Sequence, residues 1–350
     1  MNIVSLFSGA GGLDLGFENA GFSVVWANEF DSTIAPTFRR NFPQTILETR
    51  SIIDIDASEI PRCDGIVGGP PCQSWSEAGN GGGMSDSRGR LFDDYIRVLT
   101  AKRPLFFLAE NVSGMVFDKH SRAFQKILRR FCRLGYNVTW HLLNANDYNV
   151  PQDRERVIIV GYLAQYGIHF HPPTASIESP NLRDAIWDLR RSAIPALPGN
   201  RANPKVRFAN HEFYVGDFSQ IYMSRNRVRP WDQPSFTIQA SGRHAPLHPQ
   251  SPAMVKIGRD RRGFVKGEKY RRLSVRECAR IQTFPDTHVF EYRSVSDGYK
   301  MVGNAVPVNL AHALATQIMT DIRGFNLRRR RQSVCGSLRV SDPQGDRRSA

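Results

Sequence analysis

Five apolar runs in this chain lack the alternation of a half-exposed strand: residues 3–7 (IVSLF), 23–29 (SVVWANE), 64–69 (DGIVGG), 105–111 (LFFLAEN) and 156–162 (RVIIVGY). Between the third and the fourth, RLFDDYIRVLTAK carries apolar residues at helical spacing. Unalternated runs joined through helices predict an α/β fold whose parallel sheet is covered on both faces. Ligands of such a sheet bind in the crevice outside the carboxyl ends of its strands. Four polar features fall there: the glycines after IVSLF, Glu29, Cys72 after DGIVGGPP, and Glu110. Their convergence puts Cys72 and Glu110 in one cleft.

Each feature has a plain reading beside the sharp one. FSGAGG (7–12) lets backbone approach a ligand and opens onto a helix N-terminus. Glu29, about 20 residues further on, suits a ribose-hydroxyl acceptor and points to a nucleoside cofactor; a solvated strand end is the alternative. Cys72 is either a small buried residue at a bend or a nucleophile, since thiol reactivity needs an accessible, electropositive setting. The long, small-residue-rich stretch 73–90 after it has the composition of an active-site lid. Glu110 ends an apolar strand, where low dielectric is expected to keep a carboxyl group protonated near neutrality. Arg154 and Arg156 alternate along an extended segment and share a face, either paired with a carboxylate or aimed into the cleft.

Charge narrows the partners. The formal net charge is +14 and the pI about 9.9, a balance that suits a polyanion, nucleic acid before membrane. From Phe325 onward seven arginines face two aspartates, which leaves about +9 for the body. The five cysteines (Cys63, Cys72, Cys132, Cys278, Cys335) form no CxxC pair, so neither a disulfide framework nor a zinc knuckle is indicated. No window reaches the length of a membrane span and no signal segment opens the chain. A cytoplasmic, DNA-associated protein is expected.

After residue 166 the character changes, with short strands, many Pro, Asn, Ser and Gly, and arginines interleaved with aromatics. This reads as a second, smaller, loop-rich domain. In RNRVR, Arg225, Arg227 and Arg229 share a face if extended. In PSFTIQASGR, Thr237, Gln239, Ser241 and Arg243 form a polar face while Phe236, Ile238 and Ala240 turn inward. Two such strands would present donors to a major groove, where arginine pairs bidentately with guanine; about half of any such arginine set holds phosphates instead. His211, His244 and His248 lack an accompanying cysteine or carboxylate cluster, so no metal site is expected. SVRECARIQTF opens with Ser274 and Glu277 in a capping-box arrangement, and NLAHALATQIMTDI reads as another helix. The Arg-rich tail has too few apolar residues to pack and is expected to be disordered.

With these residues in place the chain resembles the DNA (cytosine-5)-methyltransferases from Met1 to about residue 322. The resemblance lies in LFSGAGGLDLGF, GGPPCQSWS, ENV, QDRERV, RRLSVRECARIQTFPD and GNAVPVNLA, in the family's order. YMSRNRVRPWDQPSFTIQASGR looks like the variable region of the bacterial GGCC-recognising restriction-modification enzymes. The resemblance implies a Rossmann-like S-adenosylmethionine-dependent methyltransferase sheet, with 1–165 as catalytic and cofactor domain and 166–270 as target-recognition domain. Residues 271–324 would return to complete the catalytic domain, leaving 325–350 as the tail.

It also implies roles. Cys72 would attack cytosine C6, Glu110 would donate to N3, and Arg156 with Arg154 would hold O2. Phe7, Gly9, Gly11, Gly12, Leu13, Glu29, Phe30, Ile52, Pro71, Leu91 and Asn304 would surround S-adenosyl-L-methionine. Arg225, Arg227 and Arg243, with Gln239 and Ile221, would contact double-stranded DNA. The base would have to flip out of the stack. A monomer is expected, alongside a cognate restriction endonuclease in the same system. One departure stands out: Ser51 occupies the place of the family's usual acidic contact to adenine, exchanging a charged hydrogen bond of ~1.5–3 kcal/mol for a neutral one of ~0.5–1.5.

Three rivals remain on the residues alone. A catalytically weakened DNA-binding homologue is pointed to by Ser51 and the tail, and opposed by intact Cys72, Glu110 and Arg156. An RNA cytosine-5 methyltransferase would share the scaffold, but the base-reading candidates of 166–270 favour duplex DNA. A thiol-dependent NAD dehydrogenase has no use for ENV or QDRER.

Overall fold

Side chains along a strand leave to opposite faces of its sheet, and here both faces are buried. The computed structural model describes residues 1–71, 91–117, 120–177 and 179–337, the last twelve by backbone alone. Strands β1 (Asn2–Leu6), β2 (Ser23–Asn28), β3 (Ile46–Glu48), β4 (Gly65–Gly68), β5 (Phe106–Val112), β6 (Tyr136–Asn144) and β7 (Glu155–Leu163) form one sheet in the order β3-β2-β1-β4-β5-β7-β6. Helices α1 (Gly12–Asn19), α2 (Ala35–Asn41), α3 (Leu91–Lys102) and α4 (Ser121–Arg133) connect them.

Phe106, Leu108, Ile158, Val160 and Tyr162 pack on one face with Phe17 of α1 and with Leu310, Leu314 and Ile318 of the last helix. Phe107, Ala109, Val157 and Ile159 pack on the other, against Tyr95 and Leu99 of α3 and Phe131 of α4. Odd and even positions of β5 and β7 are thus equally apolar, which is why the runs do not alternate. Each large side chain so buried contributes ~1.5–3 kcal/mol.

The first five strands run parallel, as their sequence predicts. The last two correct the all-parallel expectation: β7 pairs antiparallel with both β5 and β6. The ten residues between β6 and β7 hold no crossover helix, and only an antiparallel return is open to so short a link. The reversal starts β7 at the carboxyl edge of the sheet, so Arg156 sits across from Val112 of β5.

Beyond β7 regular structure is sparse. Helix α5 (Leu182–Ile186) is followed by the two-residue strands β8 (Ile194–Pro195) and β9 (Glu212–Phe213) and the short hairpin β10 (Val255–Gly258) and β11 (Arg261–Gly263). Helix α6 (Val275–Ile281) opens with the expected capping box, in which Ser274 Oγ accepts from Glu277 N at 3.1 Å and Glu277 Oε2 accepts from Ser274 N at 2.8 Å. Helix α7 (Val295–Asn304) follows, and a third apolar cluster joins Ile186, Ile238 and Ala245 to Leu273, Cys278, Tyr299 and Val302.

The last helix, α8 (Val308–Ser337), corrects the boundary of the tail. It passes through the arginine run instead of ending before it, because arginine is a strong helix former and no proline interrupts the segment. Residues 338–350 lie outside the described residues. Among the described residues no helix is long and apolar enough to cross a membrane.

Candidate cofactor, base and DNA-reading site

At the carboxyl end of β1 the chain turns sharply. Phe7, Gly9 and Gly11 all take left-handed conformations, with φ of 57°, 58° and 86°. For a phenylalanine this is a strained state, worth ~1–3 kcal/mol and held by its surroundings. Part of the hold is Glu29: its carboxylate accepts from Gly9 N at 2.9 Å and from Asp31 N at 2.8 Å. Burial pushes the Glu29 carboxyl up, and the two backbone bonds pull it back. Space opens above Gly9, where an added Cβ would meet nothing within 4 Å. At Gly12 a Cβ would stand 2.3 Å from the carbonyl oxygen of Val306, so that glycine lets the C-terminal return close against α1.

Other expected cofactor residues divide. Phe30 is 64% exposed and offers a free apolar surface beside Glu29, and Asn304 is exposed at the end of α7. Pro71 and Leu91 are half-buried on either side of residues 72–90. Leu13 and Ile52 are closed into the two cores instead. Ile52 is 2% exposed, and its backbone carbonyl accepts from Arg97 Nη2 at 2.7 Å. Ser51 is half-buried and makes no capping bond. Asp56 Oδ1 accepts from Ser58 N and Ser58 Oγ, both at 2.7 Å.

Sequence reasoning passed over Asp14, in the first turn of α1. It is fully buried, and burial pushes its pKa up to about 7 against the opposing pull of the Ser5 hydroxyl.

Next along the sheet edge, Asn111 Nδ2 donates to the carbonyl oxygen of Pro70 at 3.0 Å, fixing the turn that leads to Cys72. Cys72 and the stretch 73–90 lie outside the described residues. Gly69 has no side chain where a Cβ would press on Glu110 Oε2 at 3.1 Å, so the carboxyl group lies against that turn. Glu110 is 8% exposed and is not alone: Arg156 Nε pairs with its Oε1 at 2.9 Å. Of the two readings left open for Arg156, pairing is the one seen.

Arg154 corrects the expectation that both arginines face the cleft. It is 1% exposed, and its guanidinium donates to the carbonyl oxygens of Ile238 (3.1 Å), Gly303 (2.9 Å) and Ala305 (3.0 Å). Strand β7 begins at Glu155, so Arg154 precedes the regular alternation on which a shared face depends. Its neighbours act alike. Gln152 accepts from Ile238 N at 2.8 Å and donates to Gln282 Oε1 at 2.8 Å, while Thr237 Oγ1 donates to the carbonyl oxygen of Asp153 at 2.6 Å. Residues 152–154 therefore pin the segment carrying Gln239 and the loop carrying Asn304 to the strand that carries Arg156.

Arg225, Arg227 and Gln239 line one cavity of about 140 Å³, together with Asp153, Phe236, Thr237, His244 and Pro246. Arg243 and Ile221 are exposed nearby in sequence, Ile221 at 78%. The two base-reading strands expected here do not form, since the segment holds only isolated bridges and 3₁₀ turns. Phe236 does not turn inward but lies under Arg229, 4.2 Å from its guanidinium carbon, and Arg229 pairs with Asp153 at 2.9 Å. Ala240 is exposed as well. Arg227 donates from Nε to the carbonyl oxygen of Tyr222 (2.7 Å) and from Nη2 to that of Ile221 (2.9 Å). Those side-on bonds leave the end of its fork free.

His211 and His248 are buried around Glu277, which burial would push up but which the bidentate Arg271 holds down at about 2. His244 belongs to the cavity. Among the described residues no group of three or more His, Cys, Asp or Glu side chains is gathered to hold a metal ion.

Comparison with known proteins gives this geometry relatives. A family model described as C-5 cytosine-specific DNA methylase matches residues 1–320. The type II methyltransferase M.FnuDI of Fusobacterium nucleatum is 52% identical over 324 residues, covering 91% of this chain and 94% of its own. M.NgoPII of Neisseria gonorrhoeae is 52% identical over 325 residues, covering 91% and 95%. M.MthTI of Methanothermobacter thermautotrophicus is 52% identical over 327 residues, covering 93% and 98%. Among solved structures, a prophage-encoded DNA modification methyltransferase of E. coli superposes with a TM-score of 0.72 at 22% identity, over 92% of this chain and 99% of that one. At that identity the superposition speaks for the fold.

Proposed function

The chain belongs to the C-5 cytosine-specific DNA methylase family, and from that premise we propose that it methylates a flipped-out cytosine within duplex GGCC through a thiol adduct on Cys72. The fold is the Rossmann-like methyltransferase sheet and the activity that of a DNA cytosine-5 methyltransferase. The observation that carries the mechanism is the Arg156–Glu110 pair at 2.9 Å, on the sheet edge where Asn111 anchors the turn before Cys72.

Cytosine C5 is a weak nucleophile. Addition of the Cys72 thiolate to C6 breaks the aromatic system and turns C5 into an enamine carbon. A base entering the pocket offers O2 to Arg156 and N3 to Glu110, so the guanidinium exchanges one carboxylate oxygen for the carbonyl of the base. Glu110, released on that side, shares a proton with N3 and offsets the charge that the attack creates. Once the enamine carbon has taken up a methyl group, loss of the C5 proton to a water expels the Cys72 thiolate, N3 returns its proton to Glu110, and the aromatic ring is restored.

The residues around Gly9 fit S-adenosylmethionine: open space over the glycine turn, the buried Glu29 carboxylate for ribose hydroxyls, and the exposed Phe30 for adenine. Bound there, the cofactor supplies an electrophilic methyl group. Ser51 gives its adenine end a neutral contact, so the cofactor is held several-fold more weakly than an aspartate would hold it.

The type II relatives support a modification enzyme that protects DNA from a cognate nuclease, and the cavity that gathers Arg225, Arg227 and Gln239 supports reading of guanines in the major groove. Transfer of label from S-adenosylmethionine to duplexes bearing GGCC or its single-base variants, by the wild type and Cys72→Ser, tests the reading. Methylation confined to GGCC and absent in the variant is expected. Methylation of another site keeps the mechanism and overturns the site assignment. Preferential methylation of tRNA overturns the DNA substrate.

A further inference from the structure

The arginine run of the tail is left unused by this chemistry, and the structure says where it leaves the body. Helix α8 starts at the cofactor edge, where Gly12 packs against Val306 and Val308 N donates to the carbonyl oxygen of Gln282 at 3.1 Å. It runs back across the face of the sheet. Near its far end Asp321 accepts from Tyr162 Oη at 2.8 Å, and Phe325 meets Tyr166 edge-on at 5.3 Å. Tyr162 and Tyr166 stand at and beyond the end of β7, the strand that begins at the catalytic edge. Between Val308 and Phe325 the helix rises about 26 Å at ~1.5 Å per residue. The run at residues 328–331 therefore leaves from the edge of the sheet opposite the base pocket, on a helix that continues to Ser337.

We propose that this extension is a second, sequence-independent binding site for duplex DNA, which engages a different segment from the one held in the cleft. The inference rests on the reading of the protein as a DNA methyltransferase. Residues 325–337 hold four arginines and no carboxylate, a net charge of about +4. The four are consecutive, about one turn of helix, a pattern suited to phosphates rather than to base edges. A membrane surface is the poorer occupant, because an interfacial helix needs a continuous apolar face and the large apolar residues of 325–337 are only Phe325, Leu327 and Val334. The family match stops at residue 320, so the run lies outside the region that the family shares. Its placement predicts that one molecule bridges two duplexes and passes between them without full release.

The full chain, saturated with a short unlabelled cognate duplex, is titrated with a labelled non-cognate duplex over a range of salt. The comparison protein carries Arg328→Gln, Arg329→Gln, Arg330→Gln and Arg331→Gln together, which keeps good helix formers in the run. The wild type is expected to bind the second duplex while still holding the first. The variant should bind the second duplex at least tenfold more weakly at low salt, with a log–log salt slope shallower by up to about 3.6, at ~0.9 per phosphate contact. Methylation of the short cognate duplex should be equal in the two proteins. Exclusion of the second duplex by the first, or equal second-duplex binding by both proteins, overturns the proposal. Displacement of the label by polyglutamate or anionic vesicles at a lower charge concentration than by DNA overturns the choice of occupant. Failure of the wild type to methylate at all would fault the reading of the active site, a separate result.

Discussion

The seven-stranded sheet and the irregular region after β7 solve one problem in two ways. Buried backbone carbonyls must find donors. In the sheet the neighbouring strand supplies them. Between β8 and α7 ladders are two to four residues long, and buried arginines take their place. Arg272 donates to the carbonyl oxygens of Gly216 (3.0 Å) and Asp217 (2.9 Å) beneath the ring of Phe218. Arg276 donates to those of Ala209 (2.9 Å), Pro285 (3.2 Å) and His288 (2.9 Å), and Arg154 to three more. A guanidinium has five donors in one rigid plane and serves several carbonyls at once. Positive charge in a loop-rich region thus overstates its DNA contacts, because part of it holds the loops together.

The largest effect should come from removing one of these forks. Arg276→Ala leaves three carbonyls without their donor and is expected to cost at least ~3 kcal/mol, at ~1 or more for each buried acceptor stranded. Denaturant melts of the whole chain measure it. Arg276→Lys keeps the charge but not the planar fork, and should recover less than half of the loss. A lysine variant as stable as the wild type would mean that charge alone matters there and would break the comparison.

The two regions should also respond to pH with opposite signs. In the sheet region Asp14 is raised to about 7, so its contribution is full below its unfolded value near 3.8 and is lost as pH rises through 7. In the irregular region burial lowers His248 and His288 from 6.5 to about 4, so their contributions are full above 6.5 and are lost as pH falls through 4. Asp14→Asn should therefore steepen the rise of stability between pH 4 and 6.5 by ~1.4 kcal/mol per pH unit, and His288→Gln should flatten it by a similar amount. Melts at several pH values check both. Parallel curves for wild type and Asp14→Asn would show that Asp14 is not the sheet's buried acid.

How much of this was legible in the sequence follows the same division. Residues 3–7, 64–69 and 105–111 announced strands because both of their faces are core, and the Ser274–Glu277 cap announced α6 because its chemistry is local. Strand β6 escaped notice because it is an edge strand with Trp140 and Leu142 exposed, which breaks its apolar run. Glu29 and the glycine turn were readable as a pair, since their contact spans one βαβ unit. Arg154 was not. Its partners are carbonyls of residues 238, 303 and 305, and no spacing in a sequence encodes a bond between distant loops. Arg225 and Gln239 line one cavity, but not as faces of paired strands, which do not form in that segment.

The smallest effect tests whether loop arginines divide into braces and readers. Arg227 is both: Nε and Nη2 hold the carbonyls of Tyr222 and Ile221, its guanidinium carbon lies 4.8 Å from the Tyr222 ring centre, and the free end of the fork faces the cavity. Arg225 lines the same cavity with no hydrogen bond of its own among the described residues. An arginine already held in place loses less entropy when it grips a guanine than one that must be ordered at that moment. Arg227→Ala should then cost ~1–3 kcal/mol of discrimination at one base pair, and Arg225→Ala less at its own. Relative kcat/KM for the cognate duplex and its single-base variants measures both. A uniform loss across all duplexes would assign Arg227 to a phosphate, and equal discrimination losses would show that bracing adds nothing to reading.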